Sequence, residues 1–292
     1  MPRRAPAATL DELRDRYAGT ITRAGWVTDP RIERAFATIP REGFLPPPPW
    51  RVFAPGGDVK TPTIDPADLY DDVLVVLDGD RGVNNGQPSL HAAWLAAVDP
   101  KHGDTAVHVG AGTGYYTAIL AMLVLPGGRV VAYEVHEALS ALAHRHLEPF
   151  DHVELRAQSA FGVELPPADV VYVNAGAASP DPGWLRALKP GGRMIFPWQP
   201  RPPGGVALLV TREPDGFAAK PSMAVGFVPC VGPGPGGARS EGRPPAEAVE
   251  RTRSVWLREQ REPDDTATAV YGEVWFSSEP VEDDGERGRG AA

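Results

Sequence analysis

Apolar residues recur along this chain at several spacings, and each spacing predicts a different element. Residues 10–18 and 30–38 carry them at helical intervals, so two amphipathic helices open the chain. Asp29 stands where a cap is needed for the second helix, with Pro30 in its first turn. Ile39-Pro40-Arg41-Glu42-Gly43-Phe44 ends that helix, and the prolines at 46–49 predict an extended connector. Short apolar runs follow at 70–77 (closing on VLVVL), 105–109, 129–133, 153–155, 168–175 and 193–197, and these predict strands. Between them, 90–98, 115–124, 137–147 and 182–188 predict helices. Residues 205–212 and 223–228 read as a closing antiparallel pair. Beyond a Gly/Pro-rich linker at 232–245 come two more strands, 254–259 and 267–276. Their Trp256, Tyr271, Trp275 and Phe276 suit sheet packing better than ligand stacking. Residues 279–292 are charged and glycine-rich, the composition of a disordered tail. Strand and helix alternate through the middle, so the fold class is α/β. The expected domains are a helical and extended preface at 1–80, a core at 81–231, and a C-terminal linker, β extension and tail at 232–292.

Composition narrows this picture by exclusion. The net charge of −9 argues against a general nucleic-acid binder, which would show a basic face. A single cysteine, Cys230, rules out a disulfide framework and a cysteine zinc cluster. His136, His144 and His146 flank or lie on one predicted helix, but residues two apart point away from each other, so no metal site is expected. The N-terminus is basic without an apolar core, so no signal peptide is read there. The longest clearly apolar run, 118–125, is too short to span a membrane. A soluble, cytoplasmic protein is the expectation.

Candidate chemistry concentrates in 105–134. A β-branched strand runs straight into Gly110-Ala111-Gly112-Thr113-Gly114, an apolar helix follows, and the next strand ends at Glu134. A ligand crossing strand ends at a helix start needs close backbone approach, which glycine permits. The helix start offers free N–H groups. A carboxylate about twenty residues on can accept both hydroxyls of a ribose. The pattern therefore points to an adenosine-containing ligand. Its G-x-G-x-G spacing differs from the G-x-G-x-x-G of pyrophosphate binders and from a P-loop.

This turn resembles motif I of class I S-adenosylmethionine methyltransferases, which implies a Rossmann-like sheet with helices on both faces and S-adenosylmethionine as cofactor. In that family the glycines pass the methionine part and the acid holds the ribose, roles that fall to Gly110, Ala111, Gly112, Gly114 and Tyr115, and to Glu134 with its neighbour Val135. The family's acid two residues before the first glycine is His108 here. The strand at 168–175 is the one that faces the methionine end in such folds, with Asn174 at its tip.

A narrower resemblance is to protein-L-isoaspartate (D-aspartate) O-methyltransferases. It rests on Gly25-Trp26-Val27-Thr28-Asp29-Pro30 through Ile39-Pro40-Arg41-Glu42-Gly43-Phe44-Leu45-Pro46, on Asn84-Asn85-Gly86-Gln87-Pro88-Ser89-Leu90-His91-Ala92, on Leu188-Lys189-Pro190-Gly191-Gly192-Arg193-Met194-Ile195-Phe196-Pro197, and on Phe227-Val228-Pro229. Two departures stand out. The family's T-I-S hydroxyls, implied to meet the substrate carboxylate, are replaced by Asn84, Asn85 and Gly86. Its adenine-side acid in G-D-[GA] is replaced by Gln158-Ser159-Ala160, leaving Ser159 and Ala160 at that place.

The implied reaction is in-line displacement at an activated sulfonium, for which the protein mainly aligns the acceptor. A carboxylate acceptor is ionised near neutral pH, with a reference pKa of about 4, so no general base is needed. A lid over about 78–89 is expected to exclude water. Asn84, Asn85 and Gln87 are the candidates for orienting the carboxylate, and His91 is read as packing. The expected acceptor is a protein or peptide carboxylate. A small metabolite as acceptor, or a non-catalytic cofactor-binding module, stays open at this point.

Overall fold

A computed structural model describes residues 8–53, 62–201, 204–231 and 244–281. The chain forms two compact units. The first runs up to Ala106 and resumes over Ala111–Gln158; the second takes Val107–Gly110 and continues from Ser159. The boundary thus passes through the glycine turn itself.

The first unit begins with α1 (Leu10–Ala24). Thr9 and Glu12 form a reciprocal capping box at its start. The helix runs beyond the expected stop at residue 18, because Ile21 and Thr22 still face the core, and it ends at Gly25. The second helix, α2 (Pro30–Thr38), starts as expected, with the Asp29 carboxylate accepting from the Arg31 N–H at 2.8 Å. It buries Ile32, Ala35 and Phe36, one stripe at helical spacing. Next comes a small antiparallel sheet of β1 (Val52–Phe53), β2 (Leu74–Asp78) and β3 (Val83–Asn84), with Val52 opposite Val75 and Val76 opposite Asn84. Leu45, Trp50, Val52, Leu69, Val73 and Val75 form its core. The helix α3 (Pro88–Val98) follows. Then come α4 (Tyr115–Val124), β5 (Arg129–Tyr133), α5 (Glu137–Leu147) and β6 (Val153–Arg156), with β5 and β6 parallel. In α4 nine of ten residues are buried, as its apolar sequence requires.

The strand β4 (Thr105–Val109) contributes its last three residues to the second unit. That unit continues through β7 (Ala168–Val173), α6 (Pro182–Ala187), β8 (Leu188–Arg201), β9 (Gly204–Arg212), β10 (Phe217–Val225), α7 (Ala246–Arg251), β11 (Ser254–Leu257), β12 (Ala267–Tyr271) and β13 (Val274–Ser277). Its strands lie in the order β12-β13-β11-β10-β9-β8-β7-β4. Strands β7 and β8 are parallel, and every pairing from β8 outward is antiparallel.

Two expectations need correction. The strand expected at 223–228 begins at Phe217, and its register shifts between Pro221 and Ala224. The run 267–276 is a hairpin, broken at Gly272, whose φ is +51°. The short helix α7 begins directly after residue 245, in a stretch given no element from sequence. Trp256, Tyr271, Trp275 and Phe276 are buried in this extension, as expected, and Phe276 stacks on Trp198 at 4.2 Å. Residues 232–243 and 282–292, read as linker and tail, lie outside the described residues. No helix among the described residues is long and apolar enough to cross a membrane.

Candidate active site

Gly110, Gly112 and Gly114 have φ of +77°, +57° and +97°, so the turn is left-handed at all three. In the second unit, the Asn174 N–H donates to the Val109 carbonyl at 2.8 Å, and a Cβ at Gly110 would lie 3.5 Å from the Asn174 carbonyl group. Backbone therefore runs directly against backbone where β4 ends. In the first unit, the Gly112 N–H donates to Glu134 Oε2 at 2.7 Å, the His136 N–H donates to Oε1 at 2.8 Å, and the Ala111 N–H donates to the Tyr133 carbonyl at 3.0 Å. Glu134 is buried. Burial raises its carboxyl above the ordinary range, although the two N–H groups pull the other way. It both braces the glycine turn and keeps lone pairs for another donor; the first role was not visible in the sequence.

The other expected cofactor residues divide by what their side chains already do. Tyr115 is core: its ring packs edge-on against Phe36 and Phe44, and its hydroxyl lies 3.5 Å from that of Tyr17. Only its backbone can serve a ligand. His108 is fully buried, edge-on to Tyr172 at 5.6 Å, and burial pushes its imidazole down to about 3. It is neutral at physiological pH and supplies no charge. Asn174 is half-buried, and its Oδ1 is sealed from solvent without a hydrogen-bond partner. The Ser159 hydroxyl donates to the Val231 carbonyl at 3.0 Å and accepts from the Phe161 N–H at 3.1 Å, so it holds its own loop together. Ala160 is buried, and its carbonyl accepts from Trp184 Nε1 at 2.9 Å. Val135 is exposed and edges an open cavity of about 490 Å³ with Ser140, His144, Leu155 and Ala157.

The three residues expected to orient an acceptor do not share one role. Asn84 is exposed, and its Oδ1 accepts from the Gly86 N–H at 2.9 Å. Asn85 is only 8 % exposed, and its Oδ1 accepts from the Val75 N–H at 2.8 Å and from Arg41 Nη2 at 3.2 Å. Gln87 donates through Nε2 to Asp72 Oδ2 at 2.7 Å and to Ser89 Oγ at 3.1 Å. Asp72 also accepts from the Ser89 N–H at 2.8 Å and the Ser89 hydroxyl at 2.6 Å, so it secures the start of α3. At Gly86 (φ +75°), an added Cβ would lie 2.2 Å from His91 Nε2. His91 is buried and stacks on Tyr116 at 3.7 Å. Packing is its role, as expected, and the space beside residue 86 is what it fills. Arg41 and Asp72 were missed. Arg41 lies in Pro40-Arg41-Glu42, read as a helix terminator and as part of the family resemblance, and Asp72 in an acid pair, read only as a strand start.

Residues 63–234 match the family model for protein-L-isoaspartate(D-aspartate) O-methyltransferase. A protein-L-isoaspartate O-methyltransferase of Aeropyrum pernix is 31% identical over 227 residues, covering 76% of this chain and 80% of that one. One from Methylorubrum extorquens is 32% identical over 235 residues, covering 78% and 92%. Among solved structures, a protein-L-isoaspartate O-methyltransferase superposes with a TM-score of 0.64 at 26% identity, over 75% of this chain and 66% of that one. A Plasmodium falciparum structure described as the same enzyme, in complex with S-adenosyl-L-homocysteine, has a TM-score of 0.61 at 19% identity over 75% and 98%, a likeness of fold. The Rossmann-like α/β architecture, the glycine turn with its buried acid and these matches agree: the chain belongs to the protein-L-isoaspartate(D-aspartate) O-methyltransferase family.

Proposed function

We propose that this chain transfers the methyl group of S-adenosylmethionine to a carboxylate of a protein or peptide. The observation that carries the reading is Glu134, a buried carboxylate bound to the backbone of a left-handed glycine turn with lone pairs to spare. Those lone pairs suit ribose hydroxyls. In this reading the first unit offers backbone at Ala111, Gly112 and Tyr115, with Val135 next to Glu134; the roles of Gly110 and Asn174 toward the methionine part, and of Ser159 and Ala160 toward the adenine, are those the family resemblance implies. His108 brings no charge to the methionine ammonium; the unpaired Asn174 Oδ1 is an acceptor of the right kind. The cofactor, when bound, supplies a methyl group already activated on sulfur.

An ionised acceptor needs orientation rather than a base, and the buried histidine nearest the lid, His91, is committed to packing. A cytoplasmic setting, with neither nucleic acid nor membrane as partner, belongs to the same proposal. Its test is incubation with labelled S-adenosylmethionine and an isoaspartyl peptide, followed by base-labile methanol release. Release is expected. No release from any carboxylate-bearing peptide, while S-adenosylhomocysteine still binds, would reject carboxyl transfer and favour a small-metabolite acceptor.

A further inference from the structure

Trp26, between α1 and α2, is 93 % exposed, and its backbone is left-handed, with φ of +55°. A lone exposed apolar residue is ordinary, but a bulky one held in strained backbone points to a use for the place it occupies. Asp99 is the other residue besides glycine with positive φ among the described residues. It ends α3, and its carboxylate pairs with Arg31 and Lys101. The Asp99 side chain thus finds partners within the chain, whereas the Trp26 indole faces water. The indole is also firmly placed. The Trp26 N–H donates to the Arg23 carbonyl at 3.2 Å, and the Val27 N–H donates to the Thr22 carbonyl at 2.9 Å. Gly25 lies against the start of α3, where an added Cβ would meet the Ser89 carbonyl at 2.6 Å and the Ala93 nitrogen at 3.3 Å. Ser89 is tied to Asp72, which also holds Gln87. The first unit therefore presents a bare indole rigidly beside the segment that leads into α3.

We propose that Trp26 is a specificity-determining anchor for a polypeptide acceptor, with an apolar side chain of that polypeptide packing on the indole a few residues from the methylated carboxylate. The proposal rests on the carboxyl-transfer reading above. Covalent geometry and the Gly25–Ser89 contact keep the Trp26 Cα within about 18 Å of the Gln87 Cα, a span of about five extended residues. One stretch of polypeptide therefore reaches both places. A small metabolite does not, and an indole this open encloses no small ligand, which needs most of its own surface buried. Tryptophan is among the residues that anchor interfaces, and its fixed backbone keeps the ordering cost of the contact low.

The test uses short isoaspartyl peptides that differ only at single positions within about five residues of the isoaspartate, carrying leucine, serine or lysine there. Methylation kinetics are measured for wild type, W26G and W26F, together with S-adenosylhomocysteine affinity by calorimetry and thermal melting. Wild type should show a KM about tenfold lower for leucine than for serine at the best position. In W26G that preference disappears through KM, while kcat and S-adenosylhomocysteine affinity each stay within about twofold. W26F keeps an aromatic face and part of the preference. W26G also melts no lower than wild type, because glycine adopts the left-handed backbone readily. A purely structural role predicts the opposite, with melting temperature and rate falling together for every peptide. Equal KM across the series in wild type, a leucine preference that survives in W26G, or a preference for lysine in its place overturns the anchor and leaves carboxyl transfer standing. A wild-type chain that binds S-adenosylhomocysteine but methylates none of these peptides overturns the underlying reading, and this proposal with it.

Discussion

Two turns in this chain precede a helix and bend at left-handed glycines, yet they are built in different ways. The turn after β4 is held from nearby: its N–H groups go to Glu134 and Tyr133, at the end of the strand that follows α4. The turn before α3 is held from far off, by Arg41, 44 residues before Asn85, and by His91, which fills the place of a side chain at Gly86. The first is a cradle held by its own neighbours in the chain. The second is a surface whose shape depends on a buried cation beneath it.

The largest effect should come from putting a side chain at residue 86. G86S places a Cβ 2.2 Å from His91 Nε2, in a backbone with φ of +75°. Overpacking of this kind costs about 1–3 kcal/mol and left-handed strain about 1 kcal/mol more. Denaturant unfolding should show that loss, and H91A in the same chain should recover part of it. If G86S is as stable as wild type, His91 does not fill the space beside residue 86 in solution, and the contrast with the other turn disappears.

Next in size is the local cradle. E134A removes the carboxylate proposed to accept from the ribose, and with it the brace on Gly112; hydrogen bonds to charged groups contribute about 1.5–3 kcal/mol each. S-adenosylhomocysteine affinity should fall by about a hundredfold in calorimetry, equivalent to about 2.7 kcal/mol. Unchanged affinity would remove Glu134 from the site.

The pH dependence of the same residue separates binding from folding. Burial raises the Glu134 carboxyl, so the folded chain holds that proton more tightly than the unfolded one. Its contribution to stability is therefore present below the ordinary carboxyl pKa and is lost as pH rises through the raised value. Binding has the opposite sign, because only the ionised form accepts from two hydroxyls without a competing proton. S-adenosylhomocysteine affinity should decline on acidification, starting above the usual carboxylate range, and E134A should lack that limb. An identical acid limb in E134A would assign it to another group.

The same contrast explains what could be read from residues alone. Gly110, Gly112 and Gly114 each declare their own backbone need, and Glu134 follows by spacing, so the turn and its acid were legible, though not the hydrogen bond that joins them. The Asn85–Arg41 contact and the Gly86–His91 fit exist only after α2, β2 and α3 have packed, and no local pattern announces them. Strand β10 was misplaced for a related reason. Pro221 sits at its register shift, and a proline inside an apolar run argues against a strand until the bulge is seen. The early end assigned to α1 reflects Gly19 and Thr20, poor helix formers that packing overrides.

The smallest expected effect is the most discriminating within the lid. Asn84 is exposed and spends its Oδ1 on the Gly86 N–H, an Asx-type turn that contributes about 0.5–1.5 kcal/mol at most. From sequence, Asn84 and Asn85 are equal candidates for meeting the acceptor. In the folded chain only Asn85 has its oxygen fixed by two donors and its nitrogen left buried and unpaired. N84A should therefore lower the melting temperature slightly and change kcat/KM for the peptide by less than about threefold. A loss in N84A as large as that in N85A would mean that the two amides are equivalent toward the acceptor, and that the fixed orientation of Asn85 does not single it out.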